Sequence, residues 1–455
     1  MNTIMIVAGT RPEVIKLSPI IKWLQRMRVD FVFAWSGQHY DYELNKIFFE
    51  QLGLPDPDIN FDIGSGSDCV QVAKAIVKVS EAIAQYDPYT VVSEGDTNTV
   101  GAAALATIKT EKPFTHVEAG LRSFDRTMPE EINRVVADSC SELLFAPTET
   151  AVMNLVHEGI PLRKIQLTGN PIVDVVEEHR QIAGSRASEL VKELKIDSNE
   201  YLLLTFHRKE NTDDQKRLSN IVKAILLLAK RQKIVFPIHP RTRNRLLKAG
   251  LLKSLTRMEN LRLLPPLGYF EFLGLLSQSL AVLTDSGGVQ EEALTLRIPT
   301  ITMRYNTERP ETVVSGVNVL AGSEPETINK LTIAQVQRSE EIRNSLKRKR
   351  NPLGDGKTGE KIARALKSSL EGNLRVQTSD TRDDPYIQYA LVKTKLLDGV
   401  SKHSEILATY DQKGYSKIES KDCKNDTEER RSLIRASRKR ITELLESTNE
   451  SIAKC

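Results

Sequence analysis

Five short runs in the first 170 residues open on apolar stretches: IMIVAG (4–9), FVFAWSG (31–37), TVVSEGD (90–96), FTHVEAG (114–120) and LLFAPT (143–148). Each ends in polar or Gly-rich residues, which is how a strand buried on both faces of a parallel sheet reads. Between them, apolar residues recur every three or four positions over Pro12 to Met27, Cys69 to Gln85 and Glu130 to Glu142. This βαβα order predicts an α/β fold with a doubly wound sheet. The pattern restarts after GNPIVD (169–174), with YLLLTFH, IVFPIH, LRLLPPL, AVLTDSGG and TITMRY as a second set of strands. The chain therefore reads as two Rossmann-like domains, 1–170 and 171–356, with a cleft expected between them. A helix within 357–372, following NPLGDGK, is expected to cross back to the first domain.

From 373 to 455 the texture changes to a charged extension, poor in aromatics and without strand-like runs. Amphipathic helices are expected at Asp384 to Leu397 and Thr427 to Ile452. In the latter, Ile434, Ser437, Ile441, Leu444, Thr448 and Ile452 fall at heptad-like spacing. A helical or partly unstructured appendage and a partner-binding coiled coil both fit this composition.

Composition narrows the function. A formal net charge of +4 over 455 residues is too small to argue for nucleic acid, and it suits an anionic small molecule. Cys69, Cys140, Cys423 and Cys455 are scattered, so neither a disulfide framework nor a zinc site is expected. The start MNTIMIVAGTRP lacks the features of a signal peptide. The greasiest later stretch, Leu261 to Leu283, is interrupted by Pro265, Pro266, Glu271 and Gln278, so no membrane insertion is expected. These features predict a soluble cytoplasmic protein.

The strand ends carry the candidate chemistry. In AGTRPEVIK, Gly9 allows a tight turn, Thr10 and Glu13 form a capping box, and Pro12 occupies the first helical turn. Such a helix start is an anion site, and Arg11 and Lys16 add two cations to it. In AVLTDSGGVQEE a strand ends at Asp285, and Ser286, Gly287 and Gly288 open a helix whose free N–H groups suit a diphosphate. Glu292, one turn on, can accept from ribose hydroxyls. Asp96, Glu118, Glu130 beside Glu131, and His207 are acid–base candidates at strand or helix ends. Plainer roles also fit: a helix cap for Asp96, a first-turn acid for Glu130, a turn histidine for His207. The only early Asp-x-Asp, Asp56-Pro57-Asp58, reads as loop chemistry, and no Walker motif occurs. No metal or other cofactor is expected.

Taken together, GTRPEVIKLSP, GQHYDYEL, EGDTNTV, HVEAGLRSFDRTMPEEINR, FAPTE, GNPIVD, HRKEN, LTDSGGVQEEA and TERPE resemble the non-hydrolysing UDP-N-acetylglucosamine 2-epimerases, archaeal members in particular. The resemblance runs in order over roughly residues 1 to 370. It implies a GT-B fold, a UDP-sugar substrate, UDP held mainly by the C-terminal domain, and a homodimer. Ser286, Gly287 and Gly288 would hold the diphosphate, Glu292 the ribose and Phe272 the uracil. Arg11, Lys16 and Arg309 would surround the phosphates and sugar. Asp96, Glu118, Glu130 and His207 match catalytic or substrate-contacting positions. The implied reaction eliminates UDP to give 2-acetamidoglucal and re-adds it, making UDP-N-acetylmannosamine for surface glycans. The hydrolysing relatives lack the Arg-Pro-Glu-x-Ile-Lys form. Two departures stand out: Gln38-His39-Tyr40-Asp41 replaces a Gln-His-Arg loop tied to activation by a second substrate molecule, and the tail has no family counterpart. A GT-B glycosyltransferase is the alternative enzyme reading, and a nucleotide-sugar sensor with the tail as its output is a third.

Overall fold

The structure, a computed structural model, describes residues 3–37, 49–64 and 66–372, and the backbone strands at 405–411 and 414–421. The Gln38–Asp41 segment and the helices expected at 384–397 and 427–452 lie outside the described residues.

The chain divides into two compact units. Unit 1 comprises Met1–Leu121, Asp125–Gly169 and the chain from Gly359 through the helix that ends at Leu370; unit 2 comprises Arg122–Phe124 and Asn170–Thr358. Nothing in the sequence pattern marks Arg122–Phe124 as belonging to the second unit.

Unit 1 is built on β1 (Ile4–Ala8), β2 (Phe31–Trp35), β3 (Ile59–Asn60), β4 (Thr90–Glu94), β5 (Phe114–Val117), β6 (Ser141–Ala146) and β7 (Ile165–Leu167). They form a seven-stranded sheet in the order β3-β2-β1-β4-β5-β6-β7, and the pairings are parallel. Every residue of β1 is fully buried, as expected of a central strand covered by helices on both faces. Met5, Val7, Val91 and Phe114 join the apolar faces of helices Asp68–Tyr86 and Asn98–Lys109 in one core. Each such side chain contributes roughly 1.5–3 kcal/mol on leaving water.

Unit 2 repeats the plan with β8 (Tyr201–Thr205), β9 (Lys233–Pro237), β10 (Leu261–Leu264), β11 (Ala281–Thr284), β12 (Thr300–Thr302) and β13 (Asn318–Leu320). Their order is β10-β9-β8-β11-β12-β13, with parallel pairings throughout. Leu202, Leu204, Phe236, Leu283 and Ile301 fill one face of this sheet.

Strand order reverses between β1 and β4 in unit 1, and between β8 and β11 in unit 2. Crossovers leave in opposite directions at such a switch point, so the loops after the two central strands part and leave a crevice. The segments after β1, β4, β8 and β11 are GTRPE, GDTNT, FHRKE and DSGG, and they hold most of the candidate residues.

The helix Thr358–Leu370, the last among the described residues, packs on unit 1: Gly359 lies against Pro19, and Ser369 Oγ is 3.3 Å from the Tyr89 hydroxyl. Beyond it, Glu405–Asp411 and Gly414–Lys421 pair as an antiparallel hairpin, where the composition led to an expectation without strands. High charge across the tail hides a local alternation of Ile406, Ala408 and Tyr410 with other residues, and β-branched and aromatic residues favour a pleated backbone.

Candidate active site

In unit 1 the turn after β1 is closed by its own side chain. Glu13, 2% exposed, accepts from Gly9 N and, at 3.3 Å, from Thr10 N in the capping box. Burial pushes its carboxyl up to about 7, against the hydrogen bonds from Thr97, Gly9 and Thr10. The two N–H groups nearest the turn are thus already engaged by a carboxyl. Gly9 is required because a Cβ there would run into the Thr99 side chain. Arg11, first in helix Arg11–Arg26, is exposed, whereas Lys16, one turn on, is buried. The Lys16 ammonium bonds Glu118 Oε1 and stands 3.4 Å from Glu94 Oε1. Lys16 therefore sits among carboxyls in this structure.

Glu118 follows β5, and its φ of 71° lies in the left-handed region, uncommon for a residue with a Cβ. This turn aims its carboxyl toward Lys16. Asp96 follows the neighbouring strand β4. Arg134, on helix Pro129–Cys140, donates to Asp96 Oδ2 from Nε at 3.0 Å and from Nη2 at 2.5 Å, and to Glu131 from Nη1 at 2.7 Å. Asn133 Nδ2 holds the Asp96 carbonyl at 3.0 Å. His116 spans Asp138, 2.6 Å from Nδ1, and the Gly95 carbonyl, 2.8 Å from Nε2. Asp138 also accepts from Gly120 N at 3.1 Å. The loops after β4 and β5 are thereby fixed to one helix. Glu130, half-buried, opens that helix beside buried Glu131.

In unit 2 the buried Asp285 accepts from His207 N and Arg208 N, both at 3.0 Å, and from Asn211 Nδ2 at 3.0 Å. One carboxylate so ties the end of β11 to the loop after β8. The His207 ring lies 5.0 Å from that of His239, with Nδ1 3.8 Å from Asp285. Removal from water holds its pKa below the ordinary value, with Asp285 pulling the other way.

Helix Gly287–Leu296 starts directly after Ser286, whose side chain does not cap it, although its N–H donates to Thr284 Oγ1 at 3.0 Å. A Cβ on Gly287 would stand 2.6 Å from Glu308 Oε1, and Glu308 is itself fixed by Arg304 at 2.9 Å. Gly287 thus leaves room for the Glu308 carboxyl at the helix start, where Gly287 and Gly288 bring no side chains of their own. Glu292, buried one turn on, neighbours Tyr269; burial and then that carboxylate hold the tyrosine hydroxyl well above its usual range. Phe272, on helix Tyr269–Ser277, is half-buried with one side on the core. Arg309 pairs with the fully buried Glu291, which also accepts from Asn170 Nδ2 at 2.9 Å.

Unit 1 therefore assembles Lys16, Glu118 and Asp96, and unit 2 places His207, Ser286, Gly287 and Gly288 at its own switch point. The pattern reading did not single out Glu94, Arg134, Asp138 or Asp285 as site residues. Arg134 had a legible signal, standing three residues after Glu131 on one helix face. Glu94 reads as the last residue of a strand, and only its burial beside Lys16 reveals it. Among the described residues, no group of three or more His, Cys, Asp or Glu could hold a metal ion, and no helix is long and apolar enough to cross a membrane.

Two doubly wound units, one with a Gly-rich helix start and the other with carboxylates at adjacent strand ends, define a GT-B protein of the nucleotide-sugar type. Comparison with known proteins gives the family: residues 22–367 match the UDP-N-acetylglucosamine 2-epimerase family, and the chain belongs to it. It is 46% identical over 365 residues to the UDP-N-acetylglucosamine 2-epimerase of Methanocaldococcus jannaschii, covering 79% of this chain and 98% of that protein. The crystal structure of the M. jannaschii enzyme with UDP-GlcNAc and UDP aligns with a TM-score of 0.73, covering 81% of this chain and 99% of that one. The Neisseria meningitidis enzyme bound to UDP-GlcNAc, 30% identical, aligns at 0.74 over 81% and 100% of the two chains.

Proposed function

We propose that this protein interconverts UDP-N-acetylglucosamine and UDP-N-acetylmannosamine without hydrolysis, by eliminating UDP and adding it back. The observation that carries this reading is a pair of carboxylates, Asp96 and Glu118, at the ends of adjacent parallel strands, each held by its own buried cation, Arg134 and Lys16. Inversion at C2 requires a proton to leave one face and return to the other, which two separate carboxyl groups can provide.

The C2 proton is weakly acidic on its own. As the C1–O bond to the diphosphate breaks, positive charge grows at C1 and eases proton loss to a carboxylate. The C2–H electron pair becomes the C1=C2 bond of 2-acetamidoglucal, and UDP departs with the C1–O pair. In the reverse sense UDP oxygen bonds C1 and a proton is delivered to the opposite face of C2. Asp96 is assigned to one transfer and Glu118 to the other, with Glu130 beside the same helix start. The N–H groups of Gly287 and Gly288 and the Ser286 hydroxyl stabilise the departing diphosphate. Glu292 is assigned to the ribose and Phe272 to the uracil. Arg11 and Arg309 complete the charge around phosphate and sugar, and His207 sits by the diphosphate. The enzyme is assigned to the cytoplasm as a homodimer, supplying the 2-acetamido sugar for surface glycans.

Incubation with UDP-GlcNAc in D2O, followed by proton NMR, tests the assignment. Loss of the C2 proton signal with growth of a UDP-ManNAc anomeric signal is expected, with no acceptor added. Free N-acetylmannosamine would instead mark a hydrolysing enzyme. An unchanged spectrum that responds only to an added acceptor would mark a transferase.

A further inference from the structure

Unit 1 gathers more buried acid than two proton-transfer groups require. Glu94, the last residue of β4, is 2% exposed, Glu118 5% and Lys16 7%. Lys16 bonds Glu118 and stands 3.4 Å from Glu94 Oε1, an oxygen with no hydrogen-bond donor upon it. The Glu94 and Glu118 carboxyls thus converge on a single buried ammonium. Two buried carboxyls that share one ammonium, and are cut off from water, need a proton between them.

The charged groups around Glu94 fix where that proton resides. Helix Arg11–Arg26 contributes Lys16 and Glu13, and the turn after β5 contributes Glu118. On its own loop Asp96 is bound by Arg134, and on β5 His116 is bound by Asp138 and the Gly95 carbonyl. Lys16 is shared by Glu94 and Glu118, and it lies much nearer Glu118. Burial raises the Glu94 carboxyl well above its ordinary range; Lys16 opposes this, and Glu118 and Glu13 add to it.

We propose that Glu94 is a protonated positioning residue, whose hydroxyl donates to Glu118 and, with Lys16, keeps Glu118 as the ionised carboxylate that exchanges the C2 proton. This rests on the epimerase reading. Glu118 takes and returns the substrate proton, while Glu94 keeps its own throughout.

Glu94→Ala and Glu94→Gln in the full chain test it. Alanine removes the donor to a charged group, so kcat falls about tenfold or more while KM changes little. Glutamine keeps a neutral donor of the same shape and restores most of that loss. It also removes the alkaline fall in kcat that ionisation of Glu94 produces in the parent enzyme. At pH 8 the infrared band of a protonated carboxyl is present in the parent and lost in both variants. A Gln variant as impaired as Ala, or an infrared band unchanged on substitution, overturns the inference. A parent enzyme without epimerase activity would overturn the functional assignment, and the infrared band would still decide whether Glu94 carries the proton.

Discussion

Arg134 sets two of its donors, Nε and Nη2, on a single oxygen of Asp96, Oδ2, at 3.0 and 2.5 Å. Oδ1 is left without a protein partner among the described residues, on a side chain 27% exposed. One oxygen thus fixes the carboxylate, and the proposed proton transfer falls to the other.

Asp96→Asn keeps the shape of this group and removes its ability to take a proton. Deuterium exchange at C2 is expected to fall at least about 100-fold, the usual contribution of a positioned base. Near-normal exchange would take Asp96 out of the mechanism.

Arg134 joins Asp96 to Glu131 while only 2% exposed. Arg134→Met leaves buried Glu131 uncompensated, so unfolding free energy should drop by about 3 kcal/mol in a urea titration. Arg134→Lys keeps the charge and loses the planar fork, so its stability should recover more than its kcat. Equal recovery of both would argue that geometry at Asp96 is unimportant.

Gly287→Ala introduces a Cβ against Glu308 Oε1, at the start of the helix assigned to the diphosphate. UDP affinity measured calorimetrically is expected to weaken about tenfold, as for loss of one hydrogen bond to a charged group. Because the Gly287 N–H is assigned to the departing diphosphate, kcat should fall as well as KM rise.

Glu13 gives a pH signature to stability. Its carboxyl titrates at about 7 in the folded protein, against 4.5 as the ordinary value. The folded state therefore holds a proton that the unfolded chain has released, and this contribution is full below pH 4.5. It is lost as pH rises to about 7, a decline of about 3 kcal/mol at most. Glu13→Gln should flatten the dependence of the urea midpoint on pH across that window.

Truncation after Gly372 retains the helix Thr358–Leu370 on unit 1 and the whole of the span matched by the family, which ends at 367. The shortened protein is expected to keep kcat within about twofold, since none of the groups assigned to transition-state stabilisation is removed. A larger loss would give the tail a part in turnover.

Much of this protein was decided by sequence alone. Apolar runs ending in GTRPE, GDTNT and DSGG specify parallel strands with chemistry at their C-terminal ends, because burial on both faces and a tight exit turn leave few other readings. Asp96, Glu118, His207 and the Ser286–Gly288 turn were legible because each stands at such an end. The charge partners were not. Lys16 reads as a phosphate cation beside a helix start, and only strand order β1-β4-β5 brings it against Glu94 and against Glu118, 102 residues away. Arg309 likewise meets Glu291, and Asp285 meets the His207 backbone, through packing that no local pattern encodes. Local periodicity fixes which residues face the sheet, but pairing of buried charges depends on which loops the topology places side by side. A cation must neutralise the nearest carboxylate once water is excluded, and that neighbour exists only in the folded chain.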